Sequence, residues 1–316
     1  MNKKLEACLI YLVVYIAATT AAIISLKYLF TNKDELILNL FKADLIGSIF
    51  VYLNCILFDS FSLYDPYWSV KSTLISIYLI HSFNYVMNLR AGIVVIFLNI
   101  WSNRLTFNLF LTTLEDIHHE DWRYSDFRQK WSPKIVYFLM GLLSFILLPT
   151  VIVFFGNIPV YYVIKFNKST LNYIDLIAII ITSMALYFES VGDFQLRKAF
   201  LNAKKNGKVC NMETGLWSLC RHPNYFGEIT YWFGIWLFGV ACGASPFQDK
   251  LYLASFILGP LAVFILIYFG SMPLMEERQL KKKTEFYSGY MKRVPFKILP
   301  LSFLISGSKS NEIKKD

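Results

Sequence analysis

Long apolar runs alternate with short polar segments along most of the chain, and charged residues are concentrated in the polar segments. Most of the apolar runs reach or approach the roughly 17 residues that a helix needs to cross the hydrocarbon core of a bilayer. The pattern therefore predicts an all-α, polytopic membrane helix bundle of about eight helices. The predicted spans are 5–30, 43–58, 72–88, 91–111, 134–156, 171–190, 225–242 and 251–272.

The composition separates this chain from soluble proteins. Of its 316 residues, 56% are hydrophobic and 17% are aromatic, whereas soluble domains average about 45–50% apolar residues. The net charge of +9 comes from lysines and arginines in loops and in the tail. At those positions they orient membrane helices and contact anionic lipid, so they do not suggest nucleic acid. We therefore expect membrane lipids as partners, and the sequence leaves the oligomeric state open.

The positive charges also predict the sides of the membrane. The segment 197–221 and the tail are rich in lysine and arginine, whereas the loop near 243–250 holds only Lys250. By the positive-inside rule the first two lie in the cytosol, and counting back through the spans places both termini and the segment 113–133 there too. The chain has no Pro/Gly/Ser linker, so we expect one membrane domain. The predicted divisions are an N-terminal span and loop over 1–42, the domain over 43–303 and a polar tail over 304–316.

Cysteine and histidine usage argues against a disulfide framework and against a metal site. The five cysteines are scattered, with no CxxC pair, which does not fit a zinc site. His118 and His119 are neighbours, so on a helix they point in different directions, and the chain has only four histidines. We predict no metal site and expect an ion-paired loop at this position. Its members would be Glu120, Asp121, Asp126, Arg123 and Arg128.

A stretch rich in motifs, GLWSLCRHPNYFGEITYWFGIWLFG, spans residues 215–239. Pro223 suits the first turn of a helix, because that turn does not need its N–H. Arg221 and His222 would then lie at the helix N-terminus, where free N–H groups and the helix dipole favour an anion. We therefore predict an anion seat here. The alternative is that the two basic residues only anchor the helix at the lipid headgroups.

The same helix carries polar side chains into the predicted membrane span. Asn224, Glu228 and Trp232 are four residues apart, so they share one face of the helix. A glutamate one turn inside a membrane helix is costly and by default indicates a functional site. Pairing of Glu228 with a neighbouring side chain is the structural alternative.

Two further polar stretches interrupt the apolar pattern. In residues 59–70, Asp65 precedes a proline in a turn signal, and the tyrosines nearby suit the membrane interface. In residues 189–200, Glu189, Asp193 and Arg197 are four apart and lie on one helical face. We expect Asp193, Gln195 and Arg197 to reach the same cytosolic pocket as the 215–239 stretch. An intrahelical charge ladder would also explain this spacing.

These motifs together resemble a known membrane superfamily. RHPNYFGE at 221–228, followed by Glu-Glu-Arg at 276–278 and by Tyr287-x-x-Tyr290, is similar to the superfamily that joins steroid 5-alpha-reductases, sterol C14 and delta-7 reductases, and isoprenylcysteine carboxyl methyltransferases. The stretches DPYWS, HEDWRY and E-x-x-x-D-x-Q resemble its less characterised branch, whose members carry a steroid 5-alpha-reductase C-terminal-type domain. The resemblance covers residues 59–300.

The reductase branch implies a helix bundle in which NADPH enters a cytosolic pocket near the C-terminal half and a lipid substrate enters from the membrane. Hydride would pass to the β-carbon of a conjugated double bond, while an acid near the carbonyl stabilises the developing enolate. The resemblance implies catalytic or pocket roles for Asp65 and Glu228. The implied cofactor-binding residues are Arg104, Asp193, Gln195, Arg197, Arg221, His222, Asn224, Tyr225, Trp232, Glu277, Arg278 and Tyr290.

One position departs from the pattern of the family. Where the reductases have a tyrosine acid three residues before an arginine, this chain has Trp101 before Arg104. An indole cannot donate a proton as a phenol can. We expect Tyr64 or Tyr67 as the catalytic phenol beside the 59–70 stretch, and Tyr124 is a further alternative.

We therefore expect a membrane-embedded, NADPH-dependent reductase of a steroid-like or other isoprenoid double bond, located in the endoplasmic reticulum membrane. An S-adenosylmethionine-dependent lipid or prenylcysteine carboxyl methyltransferase is the alternative, since both branches share RHPxYxG. A non-catalytic sterol- or lipid-binding protein is a second alternative, because Trp101 stands where the reductases have their tyrosine acid. The chain has no GxGxxG or Walker loop, so a nucleotide would have to bind at helix ends and basic side chains.

Overall fold

The computed structural model describes residues 3–32, 35–84, 87–112, 116–166, 170–207, 210, 212–242 and 250–302. Within these ranges all regular secondary structure is helical, which confirms the predicted all-α class. The helices are α1 (Lys3–Tyr28), α2 (Leu36–Phe58), α3 (Tyr67–Ser82), α4 (Leu89–Thr112), α5 (Trp122–Lys130), α6 (Lys134–Gly141), α7 (Leu148–Lys165), α8 (Tyr173–Asn206), α9 (Pro223–Ala241), α10 (Lys250–Ile265), α11 (Met272–Lys282) and α12 (Thr284–Arg293). Short 3₁₀ turns lie at Phe61–Leu63 and Gly215–Ser218, and π-helical turns at Leu142–Leu147 and Leu266–Ser271.

Six helical segments in the described ranges are long and apolar enough to cross a membrane, which fits an integral multi-pass membrane protein. The two other predicted spans, 72–88 and 225–242, form α3 and α9, which are not among the six. With 16 residues, α3 is shorter than the roughly 17 that a span needs, and the first turns of α9 are polar. The six segments are Lys3–Tyr28, Leu36–Phe58, Leu89–Leu111, Lys134–Lys165, Tyr173–Asn206 and Leu258–Lys282.

Helix α8 has 34 residues and extends well past the predicted span 171–190. A capping box fixes its start: Asn172 Oδ1 accepts the N–H of Asp175 at 3.3 Å, and the Asp175 carboxylate accepts the N–H of Asn172 at 2.8 Å. Its end is Gly207, whose φ of 62° is a left-handed conformation that glycine adopts without strain. Because the helix continues beyond the apolar run, Asp193 and Arg197 lie on regular helix, as their spacing predicts.

Two helical spans contain a π turn, and a proline follows each turn. Leu142–Leu147 precedes Pro149, and Leu266–Ser271 precedes Pro273. Proline has no N–H, and its ring clashes with the carbonyl four residues earlier in a regular α-helix. The extra residue in a π turn relieves that clash, so the helix continues past the proline.

The chain divides into two compact units, residues 1–171 with 238–259 and residues 172–237 with 260–316. The predicted domain limits at 42/43 and 303/304 stay predictions, and the predicted polar tail 304–316 lies outside the described residues.

An aromatic core in the first unit holds the loop between α2 and α3. Phe61, in the 3₁₀ turn of that loop, packs with its ring centroid 5.2 Å from those of Tyr137 and Phe145. Gly141 faces the same ring, and a Cβ there would lie 2.6 Å from Phe61 Cε2. The loop is therefore buried at Phe61, and this burial fixes the position of Asp65 four residues later.

Glycines bring α8 and α9 close together in the second unit. A Cβ on Gly227 would lie 2.6 Å from Glu189 Cγ and 2.7 Å from the Ala185 carbonyl oxygen. Seven residues later, Gly234 faces the Thr182 side chain in the same way. The backbones can approach this closely because these positions have no side chain, and the contact brings the start of α9 beside Asp193.

Candidate functional site

Asp65 is the centre of a buried, hydrogen-bonded group in the first unit. Its carboxylate accepts hydrogen bonds from the Tyr124 hydroxyl and from Arg123 Nη2, the latter at 3.2 Å. Arg123 Nε also donates to Asp121 Oδ1 at 2.7 Å. Asp121 is the N-cap of α5 and accepts the N–H of Arg123 at 3.0 Å. The cap of α5 thus directs two consecutive side chains, Arg123 and Tyr124, towards Asp65.

Burial controls the protonation of this group. Asp65 is 7% exposed, and burial raises the pKa of its carboxyl to about 6, with Arg123 partly opposing the shift. Burial and the neighbouring Asp65 carboxylate raise the pKa of the Tyr124 phenol well above its usual range. The site therefore combines a carboxyl that titrates near neutral pH with a phenol that keeps its proton.

Ion pairs and hydrogen bonds join α5 and the segment before it to the loop between α2 and α3. Arg128 donates to Glu120 at 2.8 Å and to Asp59 at 2.9 Å. Glu120 Oε1 also accepts the N–H of Phe61 at 3.1 Å and the Tyr137 hydroxyl at 2.8 Å. The ion-paired loop expected from the sequence is present, and its pairs hold the donors of the site against the loop that carries Asp65.

Tyr64 and Tyr67, the two phenols expected to act beside Asp65, contact other groups. The Tyr64 hydroxyl lies 2.6 Å from Thr150 Oγ1. The Tyr67 ring packs against the Tyr64 ring with centroids 5.9 Å apart. The phenol that binds Asp65 is instead Tyr124, which the sequence offered within HEDWRY only as a further alternative.

Trp101 serves packing. It is fully buried, and its ring lies 5.5 Å from that of Trp68 in an edge-to-face arrangement. Arg104, one turn further along α4, is half-buried in the same unit. Its predicted contact with the cofactor stays a prediction.

A small pocket opens beside Asp65. Its polar side includes Ser62 and His119, and the rest of its wall is largely apolar. Its volume of about 10 Å³ is close to the space that one water molecule needs. The lining residues are Tyr11, Ser62, Asp65, Pro66, Leu109, Phe110 and His119.

In the second unit, the first turn of α9 contacts α8 through Asn224 and Asp193. Asn224 Nδ2 donates to Asp193 Oδ1 at 3.1 Å, and Asn224 Oδ1 accepts the N–H of Tyr225 at 3.0 Å. Both Asn224 and Asp193 are half-buried, as is Arg197 one turn further along α8. The structure therefore brings Asp193 and Asn224 together, as the sequence predicts.

Glu228 and Trp232 lie on one face of α9, as predicted from their spacing. Trp232 Nε1 donates to Glu228 Oε1 at 2.8 Å, so this glutamate has a partner one turn away. Near the start of the helix, the Tyr225 ring stacks on the His222 ring with centroids 5.4 Å apart. Trp232 is fully buried, whereas Glu228 and Tyr225 are half-buried.

Arg221 points into the second unit, which corrects the prediction of an anion seat. Its Nε donates to Glu276 Oε1 at 2.7 Å, and its Nη1 donates to the carbonyls of Val294 and Pro295 at 2.9 and 2.6 Å. His222 Nε2 lies 3.2 Å from the same Glu276 oxygen. Burial lowers the pKa of His222 against the opposing effect of Glu276, so the ring is neutral at pH 7. The charge of Arg221 is balanced by Glu276, and a neutral His222 offers an anion little attraction.

Gln195 and Tyr290 fix the 3₁₀ turn Gly215–Ser218. Gln195 Oε1 accepts the N–H of Leu216 at 2.9 Å, and the Tyr290 hydroxyl donates to the Trp217 carbonyl at 2.7 Å. These two hydrogen bonds to the backbone hold the turn in position before the RHPN motif at 221–224. A direct contact of either residue with a cofactor stays a prediction.

Helix α11 carries two further residues predicted to bind the cofactor, Glu277 and Arg278. Glu277 is exposed and accepts from Lys281 at 2.6 Å, and Arg278 is half-buried. Across the ranges that the structure describes, no three His, Cys, Asp or Glu side chains come together as a metal site would need.

Comparison with known protein families matched residues 51–294 to the family described as "Protein of unknown function (DUF1295)". No match was found among curated proteins, and none among solved structures. The matched range includes every residue predicted for the site, from Tyr64 to Tyr290. Because the match extends over more than half of the chain, the protein belongs to the DUF1295 family.

Proposed function

We propose that this protein is a membrane-embedded reductase that uses NADPH to saturate a double bond conjugated to a carbonyl group in a steroid-like or other isoprenoid lipid. The observation that carries the proposal is the buried contact between the Asp65 carboxyl and the Tyr124 phenol. A carboxyl that titrates near neutral pH and a phenol that stays protonated form a proton donor suited to a carbonyl oxygen. The motifs that resemble the steroid 5-alpha-reductase-type superfamily support the same assignment.

Saturation of such a double bond consumes one hydride and one proton. Bound NADPH would supply the hydride, and with it both electrons, to the β-carbon. Tyr124 would donate its proton to the carbonyl oxygen as negative charge develops there, and a protonated Asp65 would return a proton to the phenol oxygen. The resulting enol would tautomerise to the saturated carbonyl compound, which moves the donated proton from the oxygen to the α-carbon. Arg123, 3.2 Å from Asp65, stabilises the carboxylate that remains. Burial strengthens each of these interactions because the local dielectric constant is low.

Residues of the second unit fit a nicotinamide. The half-buried Asn224 amide has the donor and the acceptor that a nicotinamide carboxamide requires, and Asp193 holds its orientation from 3.1 Å away. Arg197 would face a phosphate, whereas the charge of Arg221 is already balanced by Glu276. Further positive charge for the phosphates would come from exposed lysines near the end of α8: Lys198, Lys204 and Lys205.

We also propose that the protein lies in the endoplasmic reticulum membrane with both termini in the cytosol. The lysines and arginines of the tail and of 197–221 support cytosolic termini, and the resemblance supports the endoplasmic reticulum membrane. Cytosolic NADPH would then reach the second unit without crossing the bilayer.

The test is cofactor binding to the full-length protein in detergent, with NADPH and S-adenosylmethionine titrated in parallel. We expect NADPH to bind with a change in nicotinamide fluorescence. Asn224→Ala should weaken binding about tenfold, as expected from loss of roughly 1.4 kcal/mol of hydrogen bonding. The matched control Asn202→Ala, at an exposed position of α8, should leave binding unchanged.

Two outcomes would refute the proposal. Binding of S-adenosylmethionine alone would identify the methyltransferase alternative and direct the search to lipid carboxylates. Binding of neither cofactor would indicate a lipid-binding protein without catalysis, and co-purified lipids would then be analysed.

A further inference from the structure

The chain that follows α12 is bonded directly to the RHPN motif. The N–H groups of Arg221 and His222 donate to the carbonyls of Phe296 and Lys297, at 3.0 and 2.9 Å. These two bonds lie immediately before the first turn of α9. We call residues 294–302 the C-terminal clamp, because their carbonyls bind the two residues that precede α9, Arg221 and His222.

The Arg221 side chain adds three bonds to the same connection. It is 4% exposed and joins Glu276 of α11 to the carbonyls of Val294 and Pro295. The flat guanidinium presents several donors in fixed directions, whereas a lysine would present one compact charge. A lysine at position 221 would therefore keep the charge but lose this set of bonds.

A second connection runs from α12 to α8. The Tyr290 hydroxyl donates to the Trp217 carbonyl, and Trp217 Nε1 donates to the Gly192 carbonyl at 2.9 Å. Gly192 immediately precedes Asp193. The chain after α11 is therefore bonded both to the start of α9 and, through Trp217, to the part of α8 that carries Asp193.

We propose that the C-terminal clamp positions the start of α9 against α8, and that Arg221 and Glu276 are positioning residues which keep Asn224 beside Asp193. Without the clamp, the buried Arg221 would lose two of its acceptors, and a buried charge with unmet hydrogen bonds drives local rearrangement. The link to cofactor binding rests on the proposed function, because it takes Asn224 as the nicotinamide ligand. The positioning itself does not depend on which cofactor binds.

The first measurement is hydrogen exchange in the full-length protein, read from peptides that cover 219–226. Arg221→Lys and Glu276→Gln should each speed exchange in this segment about tenfold or more, because the bonds to the clamp open more often. Arg293→Lys is the matched control. Arg293 is also in the C-terminal region, but it pairs with Glu213 at an exposed position, so exchange at 219–226 should stay as in the wild type.

The second measurement reports the position of Asn224. In the Asp193→Cys/Asn224→Cys protein, a short bifunctional methanethiosulfonate reagent should join the two introduced cysteines, because the native side chains lie 3.1 Å apart. Mass spectrometry of the joined peptides separates this product from reactions of the native cysteines. Addition of Arg221→Lys should slow the crosslink several-fold, and addition of Arg293→Lys should not.

The outcomes separate the two proposals. Unchanged exchange in Arg221→Lys would show that the clamp does not hold the motif. Faster exchange with an unchanged crosslink would show that the clamp holds the motif but does not position Asn224. If NADPH fails to bind the wild type, the proposed function fails, while exchange and crosslinking still decide whether the clamp positions α9.

Discussion

The pH dependence of stability in an Asp65→Asn variant tests the assignment of the candidate acid. Asparagine keeps the volume and an acceptor for Tyr124, but it cannot ionise. The pKa of the Asp65 carboxyl rises from 3.8 to about 6 in the folded protein. The folded state therefore holds this proton more tightly than the unfolded state. The stability that Asp65 contributes is fully present below pH 3.8, and it is lost as the pH rises through 6.

The size of the effect follows from the shift. A shift of about two pKa units corresponds to about 3 kcal/mol of unfolding free energy, at roughly 1.4 kcal/mol for each unit. The contribution of Asp65 to the unfolding free energy of the wild type falls by this amount between pH 4 and pH 7.5, and the variant has no such contribution to lose. The stability of Asp65→Asn relative to the wild type should therefore improve by about 3 kcal/mol over this range, or by several degrees in thermal midpoint.

The assay is thermal unfolding in detergent, followed by tryptophan fluorescence between pH 4 and pH 7.5. Asp59→Asn is the matched control. Burial alone would raise the pKa of Asp59, but hydrogen bonds from Arg128 and Lys134 outweigh burial and lower it. The stability that Asp59 contributes is present above pH 3.8 and is lost only as the pH falls through the lowered pKa, so the difference between this variant and the wild type should change little between pH 4 and pH 7.5. A pH-independent difference between Asp65→Asn and the wild type would refute the assignment of Asp65 as a buried titrating acid.

Three further variants test separate parts of the structure. Tyr124→Phe should retain NADPH affinity but lower turnover of an enone lipid about 10²–10⁴-fold, because it lacks the donor phenol; unchanged turnover would exclude Tyr124 as the donor. Lys71→Met should lower the unfolding free energy by about 3–5 kcal/mol, because it leaves the buried Asp44, now 2.9 Å from Lys71 Nζ, without its counter-charge. The double variant with Asp44→Asn should recover most of that loss, and failure to recover would show that the pair is not the cause. Gly227→Ala should cost about 1–3 kcal/mol by overpacking against α8, whereas Gly92→Ala, which has open space around it, should not destabilise; equal effects of the two would contradict the close helix contact.

The sequence predicted the features that depend on neighbouring residues. Span positions follow from runs of apolar residues, and the shared face of Glu228 and Trp232 follows from the helical repeat. The contact between Asp65 and Tyr124 joins residues far apart in the chain, and the sequence could not choose Tyr124 from three tyrosines. The inward direction of Arg221 was missed for the same reason, because its acceptors lie in α11 and just after α12, more than 50 residues further along the chain. Helical periodicity shows which face a side chain occupies, but the group that meets that face depends on packing.

The glycine contacts of α9 determine which parts of the second unit can move. Gly227 and Gly234 bring the backbone of α9 close to α8 over two turns, and neither position has space for a Cβ. We therefore expect the two helices to move together. If a dinucleotide binds at Asn224 as proposed, its access would then come from opening of the shorter elements, the 3₁₀ turn and the C-terminal clamp. Such local openings occur on microsecond to second timescales, so they would set the rate at which this end of the protein exchanges its ligand.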